Sequence, residues 1–157
     1  MQNGVYNNYY MQEKAKEILD TIFSHVGVKV DYDISESRIE ISSDDANLLI
    51  GYHGETLSSL QHLLNIMLYK EFGEKKDRMV ILDVSGYRQD REKKILEIAE
   101  NASSKARFLN KSVALYPMNS YERRIVHTKV SEIDGVTSES EGEGQDRRVI
   151  IRPRSEE

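Results

Sequence analysis

Hydrophobic positions in the first half of the chain recur at spacings that predict a defined series of helices and strands. The first element is an amphipathic helix over about residues 11–26, since apolar residues recur there at steps of three and four: Ala15, Ile18, Leu19, Ile22, Phe23 and Val26. Gly27 ends this helix. Alternating apolar positions over residues 28–34 and 39–41 then predict a hairpin with one buried face.

Two further helices are predicted on either side of a short turn that contains two glycines. The apolar residues at 48–50 predict a short helix that stops at Gly51, and those at 57–68 predict a longer helix that begins at Gly54. The nearly continuous apolar run over residues 79–84 predicts a central strand buried on both faces. This order of elements favours one layer of helices on a three-stranded sheet.

The second half of the chain has a different pattern, which begins after Gly86. The predicted elements are a long helix (about 88–110), a strand (113–116), a helix (118–133) and two strands, near Val136 and at 149–151. Residues 138–146 are polar and contain glycine, so they predict a loop between these two strands. The fold class expected for the whole chain is α+β.

Two domains and two tails follow from these elements. We expect an N-terminal tail over residues 1–11, a first domain over 12–85, a second domain over 86–152 that includes the long connecting helix, and a C-terminal tail over 153–157. A chain of 157 residues is long enough for one sizeable core or two small ones.

Composition narrows the class of protein. Hydrophobic residues make up 38% of the chain and charged residues 31%, with 2 Pro and 9 Gly, which excludes collagen-like and wholly disordered chains. No apolar run approaches the ~18 residues of a membrane span and no signal segment is visible, so we expect a cytoplasmic protein without direct membrane insertion. The absence of Cys excludes disulfides, thiolate metal sites and cysteine catalysis, and agrees with a reducing compartment.

Charge is distributed unevenly along the chain. Residues 12–84 hold 8 Lys and Arg against 14 Asp and Glu, a net charge of −6, whereas residues 85–157 hold 14 against 13, a net charge of +1. The protein therefore has no global field that attracts polyanions, and nucleic-acid binding must depend on local patches. The acidic first half also favours an alternative function, in which that domain docks a protein partner or a second copy of the chain.

The segment Ile50-Gly51-Tyr52-His53-Gly54 is the first candidate site. Two glycines three residues apart allow a sharp turn and a close backbone approach, and the free N–H groups of the following helix suit a phosphate. The same glycines are also consistent with an ordinary C-cap and N-cap of two successive helices, and the motif alone leaves both interpretations open. Tyr52 or His53 could also stack on a base.

Arg123 and His127 form the second candidate site. They lie four residues apart on the predicted helix and outside its apolar sector, so we expect both side chains on a solvent-facing strip where they address one anionic group. The alternative is an ordinary solvated helix face. His127 could also act as a general base, but the sequence names no acid partner for it.

The first domain resembles a type II KH domain, because it has the helix-strand-strand-helix-helix-strand order with a GxxG motif between the last two helices. In that family the GxxG loop binds single-stranded RNA or DNA by its backbone. The resemblance assigns this role to Ile50, Gly51, Tyr52, His53 and Gly54. The middle two positions of the motif usually include Lys or Arg, and here they are Tyr and His.

The second domain resembles the R-three-H domain, which is named for an Arg-x-x-x-His signature and binds single-stranded nucleic acid. The matching residues are Arg123, Arg124, His127, Ser138, Ser140, Gly142, Arg147 and Arg148. Relatives with Val-x-Thr-x-Ser-x-Gly in this region match Val136 to Gly142 here, with Ser138 in place of Thr. The hydroxyl group is retained.

A KH domain followed by an R-three-H domain resembles the bacterial Jag family, also called the SpoIIIJ-associated or KhpB/EloR family. The resemblance implies a non-catalytic regulator that binds single-stranded RNA, or single-stranded DNA, and that is linked in the family to cell elongation, division or sporulation. It implies no cofactor and no metal. A homo-oligomer or a partner KH protein is also expected from this resemblance.

Overall fold

The structure is a computed structural model that describes residues 2–35, 37–73 and 79–154, with side chains from Tyr9 onward. The chain divides into two compact units, residues 1–88 and 89–157. Mixed helices and strands in both units confirm the α+β class.

The first unit contains three main helices and a three-stranded sheet. In chain order its elements are α1 (Gln2–Val26), β1 (Asp31–Ser35), β2 (Arg38–Ser42), α2 (Ala46–Ile50), α3 (Glu55–Phe72) and β3 (Ile81–Val84). This is the expected order. Apolar residues of α1, α3 and one face of the sheet form its core, among them Leu19, Leu64 and Ile41.

The central strand of this sheet is β2. It pairs antiparallel with β1 and parallel with β3, so the sheet order is β1-β2-β3. The prediction that residues 79–84 form the central strand was therefore wrong, because β3 lies at an edge. Leu82 and Val84 are buried, but Met79 and Ile81 are about half exposed, so only one face of the strand is covered along its length.

The first helix begins nine residues earlier than the apolar stripe predicted, at Gln2. The predicted tail over residues 1–11 is thus helical within its described part. Two contacts anchor the helix at the upstream end of the predicted stripe: Met11 is buried in the core, and the ring of Tyr10 packs edge-on against Phe72 with ring centroids 5.7 Å apart. These contacts add tertiary stabilisation to a segment of poor intrinsic helix propensity.

The second unit packs two helices on an antiparallel sheet. The long helix α4 (Tyr87–Leu109) leads into it, followed by β4 (Val113–Ala114), α5 (Ser120–Ser131), β5 (Val136–Glu141) and β6 (Arg148–Pro153). The sheet order is β4-β6-β5. Its core is formed by residues that include Ile95, Ala99, Val126, Val149 and Ile151.

Two boundaries in the second unit differ from the sequence predictions. Strand β5 continues to Glu141, so Ser138 to Glu141 are not part of a loop. This part of the strand was not predicted because the positions that face α5 are serines rather than apolar residues. At the C-terminus β6 includes Pro153, which pairs with Val136, and the expected tail is therefore partly strand; residues 155–157 lie outside the described part of the chain.

The start of α5 is held by a capping box. The Asn119 side chain accepts a hydrogen bond from the Glu122 N–H, and the Glu122 carboxylate accepts one from the Asn119 N–H. The same carboxylate is buried and pairs with Arg91 of α4 at 2.7 Å. The Glu122 side chain thus caps the start of α5 and ties this helix to α4.

Within the described ranges, no helix is both long and apolar enough to cross a membrane.

Candidate nucleic-acid interface

The GxxG turn connects α2 to α3 through a short 3₁₀ turn at Tyr52–Gly54. Gly51 has φ +70° and Gly54 has φ +82°, backbone conformations that other residues adopt only with strain. A Cβ atom on Gly51 would lie 2.0 Å from Oγ1 of Thr56, so Thr56 also excludes any side chain there. Both glycines are therefore required by the turn itself.

Gly54 is buried beneath Tyr87, the first residue of α4. A Cβ atom on Gly54 would lie 2.8 Å from a ring carbon of Tyr87. The next residue, Arg88, is anchored on the same unit by hydrogen bonds to the Leu82 carbonyl and the Gln61 side chain. The back of the turn is thus packed, and Ile50 is half-buried against the core.

The two middle residues of the turn form an aromatic stack. The rings of Tyr52 and His53 lie 4.0 Å apart between centroids with planes inclined by 11°, and Tyr52 is 70% exposed. His53 has φ +50°, a left-handed conformation that places its ring beside that of Tyr52. The exposed side of the turn is therefore aromatic rather than cationic.

His127 is held between two serine hydroxyls of β5. Its Nδ1 lies 2.8 Å from Oγ of Ser138, and its Nε2 lies 2.7 Å from Oγ of Ser140. The two serines share a face of β5 because they are two residues apart. The expectation of a freely solvent-facing His127 was therefore wrong: the ring is partly buried and turned towards the sheet.

The protonation state of His127 determines what these serines can donate. Burial, and secondarily the positive charge of Arg123, lower the pKa of His127, so the ring is neutral at neutral pH. A neutral imidazole donates to one hydroxyl and accepts from the other. The serine that accepts from the ring keeps its own O–H free to donate elsewhere. The site therefore offers a hydroxyl donor rather than an imidazolium charge.

The side chain of Arg123 and the main chain of Arg147 both form hydrogen bonds with Met118. Nη1 of Arg123 donates to the Met118 carbonyl at 2.8 Å, and the Met118 N–H donates to the Arg147 carbonyl at 3.2 Å. Arg123 lies one helical turn before His127 on the same side of α5. Arg123 lies close enough to His127 for its charge to lower the pKa of the histidine, whereas the side chain of Arg147 is exposed.

Arg148 and Arg124 lie elsewhere. Arg148 pairs with Glu141 in the sheet register, and side chains alternate between faces, so Arg148 lies on the face opposite Ser138 and Ser140. Its Nε donates to the Asp146 carbonyl. Arg124 is exposed on α5. The structure thus groups Arg123, His127, Ser138 and Ser140, brings the main chain of Arg147 to Met118, and places Arg148 on the opposite face of the sheet.

Sequence reasoning missed one feature of each site. Tyr87 was not recognised as the residue that covers Gly54, because nothing in the pattern indicates contacts between the turn and α4. Glu122 was not recognised as a buried residue, although its position three residues after Asn119 is a capping-box signal. Among the described residues, no cluster of three His, Asp or Glu side chains is placed to hold a metal ion.

Comparison with known families assigns both units. Residues 12–81 match the KhpA/KhpB KH domain, and residues 93–153 match the R-three-H domain. This confirms the predicted combination of the two domains.

Curated relatives share this combination, and each is named RNA-binding protein KhpB. The chain is 35% identical to the protein of Clostridium symbiosum over 90% of this chain and 65% of the relative, and 32% identical to that of Bacillus subtilis over 88% and 69%. It is 29% identical to that of Streptococcus pneumoniae over 94% and 46%. The chain thus spans between about half and about two thirds of the length of these relatives. From this similarity and the two matched domains, the chain belongs to the KhpB family, also called the Jag family.

Proposed function

We propose that this protein is a non-catalytic regulator that binds single-stranded RNA in the cytoplasm, through backbone groups of the GxxG turn and through the Arg-x-x-x-His helix. The observation that carries the proposal is the group formed by Arg123 and the His127 hydroxyl pair. Guanidinium and hydroxyl donors are the groups that position a nucleic-acid backbone. The names of the relatives support RNA as the ligand, with single-stranded DNA as a competitor to be tested.

The test of this proposal is the salt dependence of RNA binding by Arg123→Gln. A lost phosphate contact should weaken binding about tenfold and reduce the log–log salt slope by about 0.7, the value for one phosphate of a single strand. Arg154→Gln is the matched control, because this exposed arginine lies at the other end of β6 and the substitution makes the same charge change. Equal slopes for wild type and Arg123→Gln in filter binding would contradict the role of Arg123.

The contacts of His127 support a binding role over catalysis. A general base of the Ser-His kind is oriented by a carboxylate that stabilises the imidazolium. Here the second ring nitrogen meets another serine, which has no charge to offer. Incubation of labelled RNA with the pure protein and divalent metal checks this point: cleavage that disappears in His127→Ala would make the protein an enzyme.

A second candidate function is protein interaction through the first unit. On α3, the apolar residues Leu63, Ile66 and Met67 are 40–48% exposed and lie on one face at helical spacing. A groove beside them runs between α1 and α3. Such a face suits a second copy of the chain or a partner KH protein. Light scattering with and without RNA separates self-association from RNA-driven assembly.

A further inference from the structure

The GxxG turn lies in a part of the chain without basic residues. No Lys or Arg occurs between residues 39 and 69, which include α2, the turn and most of α3. Glu55 begins α3, and Asp44 and Asp45 precede α2. Arg88, the basic residue anchored nearby, already donates to Leu82 and Gln61. The elements that form this turn therefore provide no cationic side chain for a phosphate.

The turn offers an ordered aromatic surface instead. His53 covers one face of the Tyr52 ring at 4.0 Å, and Tyr52 remains 70% exposed, so the opposite face is open to solvent. The turn is itself fixed by contacts of Gly51 with Thr56 and of Gly54 with Tyr87. A ring that is already stacked loses little conformational freedom when a ligand covers its free face.

We propose that the free face of Tyr52 is a subsite for one unpaired base of the bound RNA, which stacks on it as the third layer above His53. This inference rests on the proposed RNA-binding function. A base is planar and matches the open ring face, and stacking of a base on an aromatic side chain needs no charge. Every base has such a face, so this subsite is tolerant of sequence.

The proposal assigns different physical roles to the two units. The second unit provides arginines, so its contribution to affinity falls as salt concentration rises. The first unit provides a stacking contact that releases no counterions, and its contribution is insensitive to salt. The salt dependence of RNA binding therefore distinguishes a substitution of Tyr52 from a substitution of Arg123 in one assay.

The experiment uses a single-stranded RNA that carries 2-aminopurine, whose fluorescence is quenched when the base stacks. We expect quenching on binding to the wild type and to Tyr52→Phe. Tyr52→Ala should lose the quenching and bind roughly tenfold more weakly, with an unchanged salt slope. Tyr69→Ala is the matched control, since this tyrosine is also exposed on the first unit but lies near the far end of α3.

An oligonucleotide with abasic sites provides the second arm. It keeps every phosphate but has no base to stack, so Tyr52→Ala should bind it as well as the wild type does. The proposal is overturned if Tyr52→Ala retains both affinity and quenching, or if the substitution reduces the salt slope or weakens binding to the abasic strand. Absence of RNA binding by the wild type would overturn the proposed function, whereas Arg123-dependent binding without a Tyr52 effect would overturn this inference alone.

Discussion

At the scale of single residues, His127 shows how hydrogen-bond partners determine the chemistry of a site. Its Nδ1 and Nε2 atoms form hydrogen bonds with the hydroxyls of Ser138 and Ser140, at 2.8 and 2.7 Å respectively. Both nitrogens of an imidazolium donate, so protonation would require both hydroxyls to accept. Burial and the neighbouring Arg123 charge oppose that protonation and lower the pKa of His127. The neutral ring therefore acts as a positioning group for Ser138 and Ser140.

This lowered pKa makes stability depend on pH. Between the native pKa of His127 and the ordinary histidine value of ~6.5, the unfolded chain binds more protons than the folded one, so the free energy of unfolding decreases as the pH falls through that window. His127→Gln removes this titration. We expect the difference in urea midpoint between about pH 7.5 and about pH 5 to be smaller in His127→Gln than in wild type. His62→Gln, which makes the same substitution at an exposed position of α3, controls for the effect of the substitution itself.

In the GxxG turn, the positions of the glycines could be predicted from the sequence, but the contacts of the side chains could not. The positions of Gly51 and Gly54 follow from the pattern, because an apolar helix ends at one and the next begins after the other. The stacking of Tyr52 on His53 depends on the left-handed conformation of His53, which no neighbouring residue type indicates. Likewise the contact of Tyr87 with Gly54 joins residues 33 positions apart.

At the scale of elements, hydrophobic periodicity predicted most helices, but of β5 it predicted only the start, near Val136. Ser138 and Ser140 occupy the positions of this strand that face α5, where apolar residues are usual. The strand therefore lacks the alternation of apolar and polar residues that predicts a half-buried strand. The edge position of β3 was also missed, since burial of alternate residues does not reveal which strand is central. The α5 helix was predicted, but its start is set by the buried Glu122.

The prediction for α5 concerns the contribution of Glu122 to stability. Glu122→Ala removes a capping-box acceptor and leaves the Arg91 guanidinium unpaired, so we expect the free energy of unfolding to fall by about 2–4 kcal/mol. Glu122→Gln keeps an acceptor for the Asn119 N–H and should lose less. Glu100→Ala, which breaks an exposed pair with Lys129, should reduce the free energy of unfolding far less than Glu122→Ala does. Urea denaturation measures all three, and equal losses for Glu122 and Glu100 would contradict the structural role of Glu122.

At the scale of the whole molecule, charge is segregated between the units. Residues 1–88 hold 9 Lys and Arg against 14 Asp and Glu, a net charge of −5, whereas residues 89–157 hold 13 of each. Arg88, the basic residue anchored beside the GxxG turn, already donates to Leu82 and Gln61, and the arginines of the second candidate site belong to the second unit. In the proposed RNA binding, electrostatic attraction is therefore assigned to the second unit, and stacking is assigned to the first.

Two weak sites on one chain bind a strand cooperatively only when the strand reaches both. The second contact is then intramolecular, and its effective concentration raises the apparent affinity. With an RNA of about twenty nucleotides, we expect Tyr52→Ala and Arg123→Gln each to cause a large loss of affinity. With an RNA of about four nucleotides, the length that a KH turn contacts, each substitution affects only its own site and the loss should be smaller. Fluorescence anisotropy with the two lengths measures this difference. The same fold-loss at both lengths would show that the units bind RNA independently.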